Sequence, residues 1–532
     1  MVLTQRSAGA SSYPSADSMS PRPRRERARE ATWLVALALG VALLTALGAG
    51  ARASYGARTT ADEPQYLLTA LSLARDHDLD VSDERAARAY LPFHEVALPL
   101  QATIQPDGSQ INPHDPLLPL LLALPMGAGG WLAAKLTMAA LAGLLAATVA
   151  WAAVHRFGVD LRWAAAGAAL FGLSPPLAVY ATQIYPELLA ALAVTVAAAA
   201  VLGPATKRHA AAFAVAVAAL PWLSVKYAPV ALTLGAVYAL ANRRRAPRLV
   251  GGVLGVLAAG AVAYAATSQG LYGGWTPYAA GSHFTDGEAT VMGRSPDFAG
   301  RSWRLVALFV DRGFGLAVWQ PAWLCAVPAI AWLLGRGRRA DRDPSRTEIP
   351  GGLRPRTPSP ADDTADVVTA GRGRAGLAPG MVLALPLAAG WLVATYLALT
   401  MHGWWFPGRQ VVVVLPLAVL AILAWSTASV GRRRIVWISG LVGLLAQVFL
   451  VVEGWAHRLT WAVDPQRSAD PALRLLRRVA PDLRRMDAAD RAGLIGWAAL
   501  LIAVAAAAAI SVRRTDRTPR AADRATPDRD PS

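Results

Sequence analysis

Long apolar runs alternate along the whole chain with short polar, Arg-rich segments. Runs of roughly 16 to 24 residues, about the length that spans a hydrocarbon core as a helix, occupy 31–50, 131–154, 163–180, 186–202, 209–224, 226–241, 249–268, 316–334, 380–400, 411–427, 435–453 and 493–511. The pattern predicts an all-α polytopic membrane protein with about twelve transmembrane helices. Arg22, Arg24, Arg25, Arg27 and Arg29 stand directly before the first run, so the positive-inside rule puts the N-terminus in the cytoplasm. In that orientation the cytoplasmic segments hold 32 of the 52 Lys and Arg residues, and the C-terminus is cytoplasmic too. Segment 454–492 then lies outside despite its eight Arg residues, which its Asp residues offset.

This topology divides the chain into a basic tail (1–30), a transmembrane module (31–335) with a long external loop at 51–130, a linker (336–378), a C-terminal group of helices (379–511) and a tail (512–532). Segments 1–22, 338–376 and 513–532 are rich in Arg, Asp, Pro, Ser and Thr and poor in large apolar residues, which predicts disorder. A rival reading makes 1–53 a signal peptide cleaved near Ala51-Arg52-Ala53; the length of the run at 31–50 favours a retained helix.

Composition sharpens the picture. Of 532 residues, 55% are hydrophobic and 16% charged, with a mean hydropathy of +0.36, which excludes an ordinary cytosolic enzyme. The net charge of +17 does not indicate nucleic acid, because the basic residues sit in clusters between apolar runs. A single cysteine, Cys325, rules out an intramolecular disulfide and reads as a small buried hydrophobe.

Chemistry is expected in the external segments 51–130, 269–315 and 401–410, since loops on a rigid scaffold usually carry it. The first opens with Asp62-Glu63-Pro64-Gln65-Tyr66-Leu67-Leu68, followed by Ala70, Leu71 and Ala74 at helical spacing, which predicts a short amphipathic surface helix. Its two N-terminal carboxylates suit capping and the helix dipole. The same geometry suits a general base, because a carboxylate fixed at a cavity mouth can accept the proton of an attacking sugar hydroxyl. No metal-ligand cluster lies beside the acidic pair, so no metal ligands are assigned and a divalent cation is left open as a cofactor; no P-loop or dinucleotide fingerprint is present.

Asp62-Glu63 just after the first span resembles the acidic pair of GT-C glycosyltransferases, the group that includes protein O-mannosyltransferases and the lipid A aminoarabinose transferase. Further elements are similar in the same order: Asn112-Pro113-His114-Asp115-Pro116-Leu117, Gln183-Ile184-Tyr185-Pro186-Glu187, Pro221-Trp222 with Lys226-Tyr227, Asp311-Arg312-Gly313-Phe314-Gly315-Leu316, and Gly403-Trp404-Trp405-Phe406-Pro407-Gly408-Arg409. The likeness covers roughly residues 30–455. Where the family has two prolines after His, this chain has Asp115-Pro116.

The resemblance implies a GT-C fold and inverting transfer of a monosaccharide from a polyprenyl phosphate to a glycan, lipid or protein acceptor on the external side. It implies Asp62 as base, with Glu63 orienting it or binding the acceptor. Lys226, Arg409 and Arg312 are then candidates for the donor phosphate, and His114, Asp115, Tyr185, Glu187, Trp404 and Trp405 for substrate. Each has a plainer alternative: Lys226 can snorkel, Arg312 can pair with Asp311, Arg409 can anchor at headgroups, and the tryptophans can belong to the interfacial belt. His283, His402 and His457 fit hydrogen-bonded or belt residues better than ligands. The other function classes are a transporter or lipid-linked sugar flippase, which twelve spans with both ends inside would suit, and a silent scaffolding homologue.

Overall fold

The computed structural model describes residues 24–284, 286–340 and 377–514. The tails and linker expected to be disordered lie almost wholly outside these residues. Among the described residues the secondary structure is helical, with four isolated bridges as its β pairing.

The helices run in chain order α1 (Arg24–Ala46), α2 (Glu63–Arg75), α3 (Ser82–Ala86), α4 (Leu117–Phe157), α5 (Leu161–Gly172), α6 (Leu177–Tyr180), α7 (Glu187–Val201), α8 (Lys207–Leu223), α9 (Ala228–Asn242) and α10 (Pro247–Tyr272). They continue with α11 (Phe298–Arg301), α12 (Arg304–Val310), α13 (Leu316–Trp319), α14 (Ala326–Ala340), α15 (Pro379–Leu392), α16 (Leu415–Ser426), α17 (Val430–Trp455), α18 (Pro471–Val479) and α19 (Ala488–Arg514).

Each of the twelve apolar runs contains a helix, but among the described residues seven helical stretches are long and apolar enough to cross a membrane. The other five, α5, α7, α8, α9 and α14, have 12 to 17 residues. Local sequence shortens α14. The run at 316–334 is broken at Gln320-Pro321 into α13, a 3-10 turn and α14, whereas α8 fills its run, with Pro221 inside its last turn. Leu124, Val215, Leu232 and Ile502 are exposed on the outside of the bundle, the apolar exterior of a multi-pass membrane protein.

The two transmembrane parts form one body. α1 packs along α4, α14 along α19, and α15 against α9, while α16 is buried on all sides at the centre. Close approach needs small residues: a Cβ on Gly143 of α4 would lie 2.1 Å from the Ala38 carbonyl of α1. α4 is interrupted at Gly129-Gly130, where Gly130 has φ +63°. Its first part therefore belongs to the end layer and packs on α2, and its second part is the span expected at 131–154.

The four segments expected outside meet at one end of the bundle. Ala102 bridges Gly281, Trp461 and Ala462 donate their N–H groups to the carbonyls of Arg52 and Ala53, and Leu483 donates to Asp311. Helix α2 forms where expected but is covered more deeply than a surface helix. All residues from Glu63 to Ser72 are buried, because α4 takes one face and the rest of the first loop closes over the other.

Candidate active site

Asp62 precedes α2, whose first turn contains Pro64, so its side chain leaves the helix end and faces a cavity of about 420 Å³. One turn on, Tyr66 lines the same wall, with its ring stacked on His114 at 4.7 Å. Asp62 Oδ2 accepts a hydrogen bond from Arg409 Nη2 at 2.7 Å, and Arg409 Nε donates to Glu187 Oε1 at 2.9 Å. Lys226 Nζ donates to the same Glu187 oxygen at 2.7 Å. Four charges from four distant stretches thus form one chain, Asp62, Arg409, Glu187 and Lys226.

The sequence around Arg409 explains how a guanidinium reaches this depth. Pro407 and Gly408, the latter at φ +89°, turn the backbone sharply, and a Cβ on Gly408 would press on Leu316 and Pro176. The turn places Arg409, only 5% exposed, with its guanidinium 3.8 Å from the centre of the Tyr185 ring and 5.2 Å from that of Trp405. Two carboxylates and two aromatic faces hold it, an arrangement that a headgroup anchor would lack. Lys226 is held less completely and is 23% exposed at its side chain.

Burial pushes the Asp62 carboxyl up, but the Arg409 guanidinium, together with His114 and Lys226, overrides it and holds the group at about 2. Asp115 behaves oppositely. Its oxygens accept from Tyr264 Oη at 2.7 Å and the Val225 N–H at 2.9 Å, yet burial raises its carboxyl to about 7. His114 Nε2 lies 3.0 Å from Gln101 Oε1, and burial pulls the proton affinity of its imidazole down.

Of the residues expected at a site, Asp62, His114, Asp115, Lys226, Trp405 and Arg409 line this cavity. Tyr185 and Glu187 lie directly behind the wall, one beneath the Arg409 guanidinium and the other bridging the two cations. Three residues stand elsewhere. Glu63 is fully buried, and its oxygens accept from the N–H groups of Thr60 at 3.0 Å and Ile184 at 2.8 Å, so it ties the first loop to the Tyr185 segment. Arg312 donates from Nε to the Ala480 carbonyl at 3.2 Å, beneath the segment before α19. Trp404 is 65% exposed and outside the cavity lining, as a belt residue would be.

Tyr66, Gln101, Ser224, Tyr278 and Gln410 also line the cavity and were not anticipated. For Tyr66 the signal was present in its position four residues after Asp62, one helical turn away. Gln101 and Tyr278 come together because Thr103 and Ser282 donate N–H groups across two loops, to the carbonyls of Ala280 and Gln101, and no local pattern announces that pairing.

No known protein family profile matches the chain, and no curated protein matches it. Among solved structures the chain is similar to ArnT from Cupriavidus metallidurans bound to undecaprenyl phosphate, with 14% identity and a TM-score of 0.44 over 90% of this chain and 78% of that one.

Proposed function

We propose that this protein is an integral-membrane glycosyltransferase of the GT-C type that transfers a monosaccharide from a polyprenyl-phosphate donor to an acceptor on the extracytoplasmic side, with inversion. The observation that carries this reading is the convergence of a carboxylate, Asp62, and two cations, Arg409 and Lys226, on one cavity wall. The ordered motifs that resemble the family supply Asp62, His114, Asp115, Lys226, Trp405 and Arg409 of that wall. Both termini are assigned to the cytoplasm from the distribution of basic residues.

The chemistry needs few parts. The acceptor hydroxyl attacks the anomeric carbon as Asp62 takes its proton. The bond from that carbon to the phosphate oxygen breaks, and the phosphate departs with the electron pair. A phosphate monoester leaves without a general acid, so cations that receive its charge suffice. Lys226 and Arg409 fill that role.

The same geometry explains how the base is kept in reserve. Bound to Arg409, Asp62 is ionised but a poor proton acceptor. A donor phosphate competes for the guanidinium, and as that hydrogen bond is released the carboxylate loses an opposing charge and gains a like one nearby. Its proton affinity then rises, so the base is activated when the donor is in place. A second, apolar groove of about 530 Å³, lined by Phe309, Leu316, Trp323, Ile330 and Trp391 among others, has the chemistry to receive a prenyl chain.

The test is transfer by purified protein in lipid nanodiscs offered a mixed pool of polyprenyl-phosphate sugars and acceptors, with products read by mass. Consumption of one donor identifies the sugar and supports the reading. Folded protein that consumes none turns the assignment towards transport or scaffolding.

A further inference from the structure

We propose that Asp76, Asp83 and Glu84 hold a hard divalent cation of calcium's size in the first external loop, at the end of α2 remote from Asp62. The sequence Asp76-His77-Asp78-Leu79-Asp80-Val81-Ser82-Asp83-Glu84 carries five carboxylates, and the local fold separates them into two groups. Asp78 accepts from Ser72 Oγ and the Asp80 N–H. Asp80 accepts from the N–H groups of Ser82 and Gln110 and from Ser82 Oγ. These bonds close a turn, helped by His77 at φ +64°, that brings Asp83 and Glu84 beside Asp76.

The three remaining carboxylates each offer an oxygen, and these oxygens all lie within 4.8 Å of one another. Atoms so spaced can share a centre at about 2.4 Å, the usual calcium–oxygen distance. Glu84 supplies an independent observation: it is only 3% exposed, and neither of its carboxylate oxygens has a hydrogen-bond donor. A buried carboxylate in that condition is costly, and two neighbouring carboxylates add to the cost. A cation among the three turns each of these repulsions into attraction. Asp76 and Asp83 are exposed, so water can complete the ligand shell, and an all-oxygen set favours a hard cation over zinc or copper.

The position gives the ion a structural consequence. Arg85, next in sequence, donates to Gln65 Oε1 and to the Leu98 carbonyl, both at 3.0 Å, and Gln65 Nε2 donates to the Pro99 carbonyl at 3.0 Å. Two residues on, Gln101 holds His114 in the cavity wall. A clamp at Asp76, Asp83 and Glu84 therefore fixes α3 and, through Arg85, the strip that shapes the cavity. Binding of the ion does not depend on the glycosyltransferase reading.

The test uses the full chain in nanodiscs of zwitterionic lipid, stripped with chelator and titrated with calcium chloride by calorimetry and radiolabelled calcium uptake. One ion per chain is expected, with a dissociation constant of about 10⁻⁵ to 10⁻³ M and a higher unfolding temperature when bound. Glu84→Gln and Asp83→Asn should each weaken uptake by about tenfold or more, while Asp62→Asn binds as wild type does. Asp83 is exposed, so Asp83→Asn remains informative if Glu84→Gln fails to fold. Absence of saturable uptake by folded wild type, or uptake unchanged in Asp83→Asn and in folded Glu84→Gln, overturns the site; preference for magnesium or manganese overturns the assignment of size. Because binding is read without any sugar donor, its failure is separate from failure of the proposed transfer reaction.

Discussion

Two charged clusters sit at the same end of the bundle, and both contain an Arg that the motifs marked for a donor phosphate. In one, Arg409 is held by two carboxylates at the wall of an open cavity. In the other, Arg312 donates from its side chain to the Ala480 carbonyl and from its backbone N–H to the Pro481 carbonyl, while Arg477 donates to the carbonyl of Arg312. Its neighbour Asp311 accepts the N–H groups of Gly313, Phe314 and Leu483. Motif membership is equal, but the surroundings assign different work. An Arg satisfied by backbone carbonyls fastens a loop, whereas one balanced by carboxylates beside a cavity can exchange a partner for an anionic ligand.

Substitutions at the two positions should therefore diverge. Arg409→Gln removes the charge proposed to receive the donor phosphate and should lower transfer by about 10²- to 10³-fold in product formation at saturating donor. Arg312→Gln should leave transfer close to wild type while costing about 1–3 kcal/mol of stability in denaturant unfolding. A large loss of turnover in stable Arg312→Gln would erase the distinction.

The Arg409 cluster also has a titration signature in Asp62, its carboxylate partner. Its carboxyl is lowered from 3.8 to about 2 on folding, so its ion pair contributes stability above the ordinary Asp value and loses it as pH falls through the folded value. The difference in unfolding temperature between wild type and Asp62→Asn should stay level from about pH 8 to 5 and change only below about pH 4. A change centred near neutrality would show that Arg409 does not hold this carboxylate. The smallest effect is expected at exposed Trp404, where Ala should shift stability by no more than about 0.5 kcal/mol and leave donor binding intact.

Much of the architecture was legible in the apolar runs, since each of the twelve contains a helix. Their lengths are less legible, because Gln320-Pro321 divides a run that hydropathy alone leaves continuous, and α4 begins at Leu117, before its run, and crosses the break at Gly129-Gly130. At the site, residue types were readable and partnerships were not. Glu187 joins Arg409 across 222 residues and Lys226 across 39, and nothing local announces that it bridges them. Asp62 and Glu63 are adjacent carboxylates, and in the sequence only the family resemblance separates their roles. Consecutive positions at a helix end point about 100° apart, so one carboxylate met the cavity and the other two backbone N–H groups. The Asp76, Asp83 and Glu84 group was hidden for a related reason, because a turn had to form before residues seven apart became neighbours.

In the proposed reaction Asp62 is the base, and Arg409 sets its proton affinity. A single-turnover comparison of wild type and Asp62→Asn on the donor found in the pool assay, with equal binding of polyprenyl phosphate verified for both, decides this role. Loss of roughly 10²- to 10⁴-fold in the transfer step, with donor still bound, is the predicted result. Transfer by Asp62→Asn at the wild-type rate would contradict it.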